Sequence, residues 1–169
     1  MIEMQVMGIA LDTRTGSPIV VLHDKSNRKA LPIWIGSAEA SAIIRKIENI
    51  AVTRPMTHDL IINLVKQMDY KIAKIEINDV DQETYYANIF IVDDEKNEVV
   101  LDARPSDAIA IAIRVDAPIF VTSNVLANGS VSCDSVKDEE EAKEFRDFIQ
   151  NIKPSDFERL ANDNMESDQ

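Results

Sequence analysis

The chain has one cysteine, few basic residues and no long apolar run. Because Cys133 has no second cysteine to pair with, an internal disulfide is excluded, and a reducing, cytoplasmic location is expected. No apolar stretch approaches the roughly 20 residues that span a bilayer. The first residues also lack the basic region of a secretion signal, so no membrane partner is expected.

Motifs of several common enzyme classes are absent as well. The sequence holds no P-loop, no dinucleotide-binding glycine loop, no zinc-protease helix motif, no nucleophile-elbow motif and no paired C-x-x-C. The common nucleotide-cofactor and hydrolase classes therefore have no local support in this sequence.

Length and charge favour one acidic globular domain. The chain has 169 residues, 45% of them hydrophobic, which is enough for a real core. Residues 137–169 hold 11 acidic and 5 basic residues and contribute −6 of the net charge of −12. An acidic chain lacks the broad basic surface of a passive nucleic-acid binder. It remains compatible with an enzyme that meets phosphates through a metal ion or a local pair of arginines.

The hydrophobic pattern predicts an α+β fold, with a mixed β-sheet and packed helices. The predicted strands cover residues 4–11, 19–22, 31–35, 72–77 (with a slip in the alternation), 85–92, 99–101 and 118–122. Helices are predicted to begin at Gly36-Ser37, after Pro55 and after Pro105. Residues 108–113 alternate like a strand, but they lack polar side chains and are rich in alanine, so we predict a buried helix.

Two segments share one order of elements, and the character of the chain changes after Val131. Strand, polar loop, strand and helix describe both residues 19–47 and residues 85–114, which makes a duplicated hairpin–helix unit possible. The predicted division is a domain over residues 1–132, an acidic helical C-terminal appendage over 133–160 and a disordered tail over 161–169.

Residues 53–60 and 102–109 repeat one pattern of residue types. Each segment places Arg-Pro ahead of a hydroxyl residue and an aspartate, and each then opens an apolar run. Proline is tolerated in the first helical turn, where Ser, Thr and Asp side chains accept hydrogen bonds from free N–H groups. Two helix starts are therefore predicted, each with an arginine, a hydroxyl and a carboxylate.

These helix starts hold the side chains of a metal-assisted phosphodiesterase. Guanidinium groups make paired hydrogen bonds to phosphate, carboxylates suit Mg²⁺ and Mn²⁺, and histidine can act as a general base. The predicted catalytic residues are His58, Asp59 and Asp107, the substrate-binding residues are Arg54, Arg104 and Ser106, and the metal ligands are Asp59, Asp102 and Asp107.

A purely structural interpretation of the same residues stays open. Aspartate at a helix start usually caps the helix, and an arginine beside it often pairs with that aspartate. Caps do not need Arg-Pro ahead of them, however, and this favours a functional role when both segments are considered together. Glu39 is interpreted as a first-turn charge, with a ligand role as the alternative. Trp34 is interpreted as a core or subunit contact rather than a surface for base stacking.

The same segments, in this order, resemble the bifunctional nuclease family. The resemblance covers about residues 4–127. It is carried by residues 16–22, 31–40, 54–60, 102–110 and 117–119. It implies an α+β fold, self-association with a dimer favoured, and an enzyme that degrades both RNA and DNA.

Two functional hypotheses follow. The first is a nuclease that hydrolyses phosphodiester bonds of RNA and DNA with little base preference, assisted by Mg²⁺ or Mn²⁺. The second is a non-catalytic oligomeric module that binds a protein partner or a small anionic ligand, with the Arg–Asp sets as interlocking salt bridges. The charge of −12 favours the second and the resemblance favours the first. Convergence of Asp59 and Asp107 in one open pocket would distinguish them.

Overall fold

A computed structural model describes residues 1–132 of the chain, which form one sheet and a set of packed helices. The predicted appendage (133–160) and tail (161–169) lie outside the described residues. The strands are β1 (Ile2–Leu11), β2 (Pro18–Asp24), β3 (Lys29–Trp34), β4 (Lys71–Asp81), β5 (Thr84–Val92), β6 (Glu98–Ala103), β7 (Ile119–Val121) and β8 (Val131–Ser132). The helices are α1 (Ser37–Ile47), α2 (Thr57–Gln67), α3 (Pro105–Val115) and α4 (Ser123–Gly129).

The sheet is mixed, which confirms the predicted α+β class. Its eight strands lie in the order β6-β5-β4-β7-β1-β2-β3-β8. Strands β4 and β7 pair in parallel, whereas the other neighbours pair antiparallel. Among the described residues, no helix is both long enough and apolar enough to cross a bilayer.

Helix α3 fills the centre of the core, and this confirms the prediction of a helix over residues 108–113. Both the alanines and the isoleucines of residues 108–112 are buried. The helix packs on α1, α2 and two strands, so it is covered on nearly all sides. A helix that is buried all round shows no apolar stripe of helical period, and this explains why its sequence imitates a strand.

Strand β4 is longer than the predicted strand over residues 72–77. Its pairing with β5 shifts register between Ile72 and Lys74 and again between Ile77 and Asp79. The first shift confirms the predicted slip in the alternation. The second reverses the alternation at the point where the sequence pattern indicated the end of the strand.

Helix α4 and strand β8 were not predicted. The helix has seven residues and buries Val125 and Leu126, which are too few for a periodic pattern. Its start is capped by Thr122, whose hydroxyl oxygen accepts a hydrogen bond from the Val125 N–H.

Both predicted repeat segments do form an antiparallel hairpin followed by a helix, β2-β3-α1 and β5-β6-α3. Their duplication stays a prediction.

Candidate functional site

The first turns of α1, α2 and α3 each carry a carboxylate at the third helical residue. These carboxylates are Glu39, Asp59 and Asp107. An acidic side chain at this position is favoured by the free N–H groups and by the positive end of the helix dipole. Local helix chemistry alone therefore explains why each acid occurs where it does, and the tertiary fold decides what each one contacts.

Arg104 joins the starts of α1 and α3. It precedes Pro105 in extended conformation, and its Nε donates a 2.8 Å hydrogen bond to Asp107 Oδ2. Its Nη2 donates at 2.8 Å to Oε1 of Glu39, a residue 65 positions earlier. Asp107 first, and then Glu39, raise the pKa of the Arg104 guanidinium above its usual value. The guanidinium thus holds two carboxylates, while 65% of its side chain remains exposed.

His58 joins the start of α2 to the same carboxylate. Its side chain is buried, with 9% exposed, and its Nε2 lies 2.9 Å from Asp107 Oδ1. Because a carboxylate only accepts hydrogen bonds, Nε2 is the donor in this pair. Asp107 therefore accepts a hydrogen bond from His58 on one oxygen and from Arg104 on the other, and the two bonds together fix the plane of its carboxylate.

Asp59 belongs to a neighbouring contact with a different arginine. Arg114 Nε donates to Asp59 Oδ1 at 2.9 Å, and the Met56 N–H donates to Oδ2 at 2.9 Å. Arg114 is also held by the carbonyl oxygens of Ala110 and Ala42, at 2.7 and 2.9 Å. Its side chain is only 9% exposed, so this ion pair lies largely inside the protein.

The Asp59 contacts predict acid sensitivity of folding. Burial raises the pKa of the Asp59 carboxyl, but the hydrogen bonds from the Met56 N–H and Arg114 outweigh it, so the net shift is downward. Asp59 therefore stabilises the fold above the unfolded-state pKa of about 3.9, and this stabilisation is lost as the pH falls through the lower folded-state pKa. We expect Asp59→Asn to lower the free energy of unfolding at pH 7, and the deficit to shrink towards pH 3. Denaturant titrations across this pH range measure the deficit, and a deficit independent of pH would contradict the assignment.

The structure does not gather all of the predicted site residues. Arg54 is exposed and forms no ion pair with any residue in the 1–132 range. Asp102 is exposed on β6 opposite Asn88, and because successive strand side chains alternate, it faces away from the side on which Ala103 meets the core. Asp59 lines a cavity that Asp107 does not line. Within the described part of the chain, no group of three or more His, Cys, Asp or Glu side chains is arranged to hold a metal ion.

Arg104 opens onto a cavity of about 420 Å³. Ser106, buried in the first turn of α3, also lines it, as do the aromatic side chains Trp34 and Tyr85. Trp34 is 53% exposed and donates from its indole nitrogen to Asp12 Oδ2 at 3.1 Å, so it is not part of the core of this chain. The cavity combines an arginine and two aromatic rings with the hydroxyl residues Ser17, Thr84 and Ser106 and the carboxylate of Glu83.

Three residues of this region were missed or undervalued by sequence reasoning. Glu39 contacts Arg104, and its signal was its position in a helix start that matches the position of Asp107 in α3. The signal for Arg114 was a single charged side chain directly after the apolar residues 108–113 of α3. For Tyr85 the sequence offers no signal, because its place in the cavity depends on the sheet order.

A model of the bifunctional nuclease domain matches residues 20–134, which is more than half of the chain. The chain belongs to the bifunctional nuclease domain family. This confirms the resemblance drawn from the ordered segments. The matched range contains Glu39, His58, Arg104 and Asp107, so the whole network at the three helix starts lies inside the family domain.

Relatives within this family differ in length. An uncharacterised protein of Mycobacterium tuberculosis is 34% identical over 163 residues, which cover 92% of this chain and 97% of that protein. Bifunctional nuclease 2 of Oryza sativa subsp. japonica is 32% identical over 107 residues, 62% of this chain and 33% of the rice protein. Bifunctional nuclease 2 of Arabidopsis thaliana is 29% identical over 107 residues, which cover 62% of this chain and 32% of the Arabidopsis protein. This chain thus matches the mycobacterial protein nearly end to end and corresponds to about a third of each plant protein.

Proposed function

We propose that this protein is a nuclease that hydrolyses phosphodiester bonds of RNA and DNA with little base preference. Membership of the bifunctional nuclease domain family supports the reaction class, as does the name of the plant relatives. The observation that carries the proposal is the position of Arg104, an exposed arginine that binds two carboxylates and lines a cavity with aromatic walls.

Phosphate would bind Arg104 by replacing the carboxylates that the guanidinium now holds. A guanidinium holds phosphate oxygens through the same paired hydrogen bonds by which it holds carboxylates. A phosphodiester that enters the cavity would therefore take over donors of Arg104 that now bind Glu39 and Asp107. Ser106 and the N-terminus of α3 add a hydroxyl and free N–H groups on the same side.

Asp107 is the proposed general base. It accepts a proton from a water molecule whose oxygen forms a bond to phosphorus. The bond from phosphorus to the leaving oxygen breaks, and that oxygen takes up a proton from solvent. His58, hydrogen-bonded to the other carboxylate oxygen, holds Asp107 in one orientation during this step. Buried as it is, His58 acts through Asp107 and not by direct contact with the substrate.

A divalent metal ion at this site would be held by two carboxylates and not by the three predicted ligands. Asp59 is bound by Arg114 and Asp102 faces away, whereas Glu39 and Asp107 meet at one guanidinium. Mg²⁺ is commonly held by one or two carboxylates together with waters and substrate phosphate, so Glu39 and Asp107 would hold it or Mn²⁺ here. When bound, such an ion would neutralise charge on the phosphate and activate water.

The aromatic walls support weak base preference. Trp34 and Tyr85 line the same cavity as Arg104. Stacking on an aromatic ring accepts any base because every base has a π-face. The exposure of Trp34 contradicts the predicted core contact, and the alternative subunit contact stays a prediction.

A non-catalytic module is the second candidate, and one observation favours it. Asp59 and Asp107 line no common cavity, and each is already paired with a basic side chain. Under this hypothesis the hydrogen bonds of Arg104 and His58 only stabilise the packing of the three helix starts. The cavity then binds a small anion or a peptide carboxylate.

A cleavage assay separates the two candidates. The purified protein is incubated with labelled single-stranded RNA and DNA in Mg²⁺, Mn²⁺ or EDTA. We expect both substrates to be cleaved with a divalent ion, neither to be cleaved in EDTA, and Arg104→Lys to cleave more slowly because lysine lacks the forked donors. The matched control is Arg28→Lys, which lies in the turn between β2 and β3. A folded wild-type protein without activity under any of these conditions would leave the module as the better account.

Self-association is proposed through the outer face of α2. Leu60, Leu64 and Met68 are spaced by one helical turn and are 62%, 58% and 60% exposed. A row of large exposed apolar side chains is typical of an interface, and the partner proposed for it is a second copy of this chain.

Light scattering should return about twice the chain mass of 19.0 kDa. Leu64→Glu should shift the protein towards monomer, whereas Gln82→Glu, at an exposed residue in the turn between β4 and β5, should not. A monomeric wild type at micromolar concentration would refute the proposal.

A further inference from the structure

A second cavity, of about 430 Å³, opens between the last turns of α1 and α3, the segment 48–56 and one face of α2. It shares no lining residue with the Arg104 cavity. Its walls combine apolar side chains with the amides of Asn49 and Asn63 and with basic side chains. We call it the basic cavity.

Basic residues are concentrated here in an acidic protein. Arg45, Lys46, Lys66 and Arg114 line the basic cavity, and they are four of the 13 basic residues in the range 1–132. Asp59 is its one acidic lining residue, and Arg114 neutralises it. Among the described residues, the other three basic side chains form no ion pair.

Helix ends account for only part of this charge. The four basic residues stand in the last turns of α1, α2 and α3, where a cation offsets the negative end of the helix dipole. Each helix end counts as about half a negative charge. The three helix ends and the Asp59 carboxylate together offset about two and a half of the four positive charges. More than one positive charge therefore remains uncompensated around the basic cavity.

The basic cavity also has one rigid basic side chain. The guanidinium of Arg114 is fixed by Asp59 and by the carbonyl oxygens of Ala110 and Ala42, so it needs no ordering when a ligand enters. Arg45, Lys46 and Lys66 stand at the wall and can close on an anion. A fixed arginine with adaptable cations and amides nearby is suited to a phosphate group, and the apolar wall is suited to the organic part that carries it.

We infer that the basic cavity is an anion site for a phosphate group, separate from the Arg104 site. The phosphate belongs either to a free nucleotide or to a nucleic-acid strand, since both present the same charged oxygens. The inference does not rest on catalysis, because binding here requires neither a general base nor a metal ion.

The test is equilibrium binding in EDTA, so that cleavage cannot contribute. Adenosine monophosphate and a single-stranded DNA 12-mer are titrated separately into the full-length protein by calorimetry at low and at physiological salt. The variant Lys46→Glu/Lys66→Glu is compared with Lys71→Glu/Lys96→Glu, which makes the same charge change at exposed residues outside both cavities. Arg104→Ala is the third variant.

We expect the Lys46/Lys66 variant to bind at least about tenfold more weakly, because each charge-assisted hydrogen bond is worth about one factor of ten in affinity. The Lys71→Glu/Lys96→Glu control should stay within about twofold of wild type, and added salt should weaken binding. Binding that persists in Arg104→Ala belongs to the basic cavity and not to the Arg104 site. Saturation by the mononucleotide identifies a nucleotide site, and binding of the 12-mer alone identifies a strand-binding site. No binding of either probe, equal loss in the control variant, or loss only in Arg104→Ala would overturn the inference.

Discussion

Replacing Asp107 with asparagine is expected to lower the rate of RNA and DNA cleavage by about 100-fold or more. Asparagine is close to aspartate in size, and its one amide oxygen can accept a hydrogen bond from either His58 or Arg104, but it cannot take a proton from water. Loss of a general base commonly costs about 10²–10⁴-fold in rate. Initial rates with both substrates, at saturating Mg²⁺ or Mn²⁺, measure the effect.

The matched control for this substitution is Asp116→Asn. Asp116 ends the same helix, is exposed, and adopts a left-handed conformation that asparagine tolerates well. Its activity should equal that of wild type. Circular dichroism must first show that Asp107→Asn folds. If a folded Asp107→Asn protein cleaves as fast as wild type, Asp107 is not the base and the observed activity comes from another site or a contaminant.

Arg114→Ala is expected to have the largest effect on stability, about 3 kcal/mol of the free energy of unfolding. The substitution removes the partner of the partly buried Asp59 and leaves the carbonyl oxygens of Ala110 and Ala42 without a donor. Removing one member of a buried ion pair costs about 3–5 kcal/mol, and the lower end applies here because 30% of the Asp59 side chain is exposed. Denaturant titration at pH 7 measures the loss.

Two further variants make this prediction specific. Arg14→Ala removes an arginine whose side chain is 85% exposed, and it should change the free energy of unfolding by less than about 0.5 kcal/mol. Arg114→Lys keeps one charge but cannot reach three acceptors in the fixed geometry of a guanidinium, so it should fall between wild type and alanine. An Arg114→Ala protein as stable as Arg14→Ala would show that the buried contacts of Arg114 do not stabilise the fold.

The helix starts illustrate how much local sequence can predict. Pro105 followed by a serine and an aspartate predicted where α3 begins, and the same logic predicted α2. Capping and proline geometry act within one turn of helix, so neighbouring residues contain the whole cause. The partners of the carboxylates at these helix starts could not be predicted in this way, because Asp59 contacts Arg114 across 55 positions and not the nearby Arg54.

Chain order alone could not predict which acids meet. Asp102 and Asp107 are five positions apart, yet their surroundings differ. Asp102 faces away from the core side of the edge strand β6, whereas Asp107 accepts a hydrogen bond from Arg104. Glu39 is 65 positions from Arg104 and contacts it, because α1 packs against α3. The predicted set of three metal ligands therefore mixes residues that the fold separates, and Glu39 takes its place beside Asp107 in the proposed site.

The amino-acid sequence by itself determined the α+β class, the starts of α2 and α3, and the family to which the chain belongs. These follow from periodicity, capping and ordered motifs, which are local properties. Only the tertiary structure decided that two of the helix-start acids, Glu39 and Asp107, meet at Arg104 while helix-end cations line a separate cavity. The physical reason is that the way α1, α2 and α3 pack together, set by side chains buried along their whole length, determines which ends lie side by side.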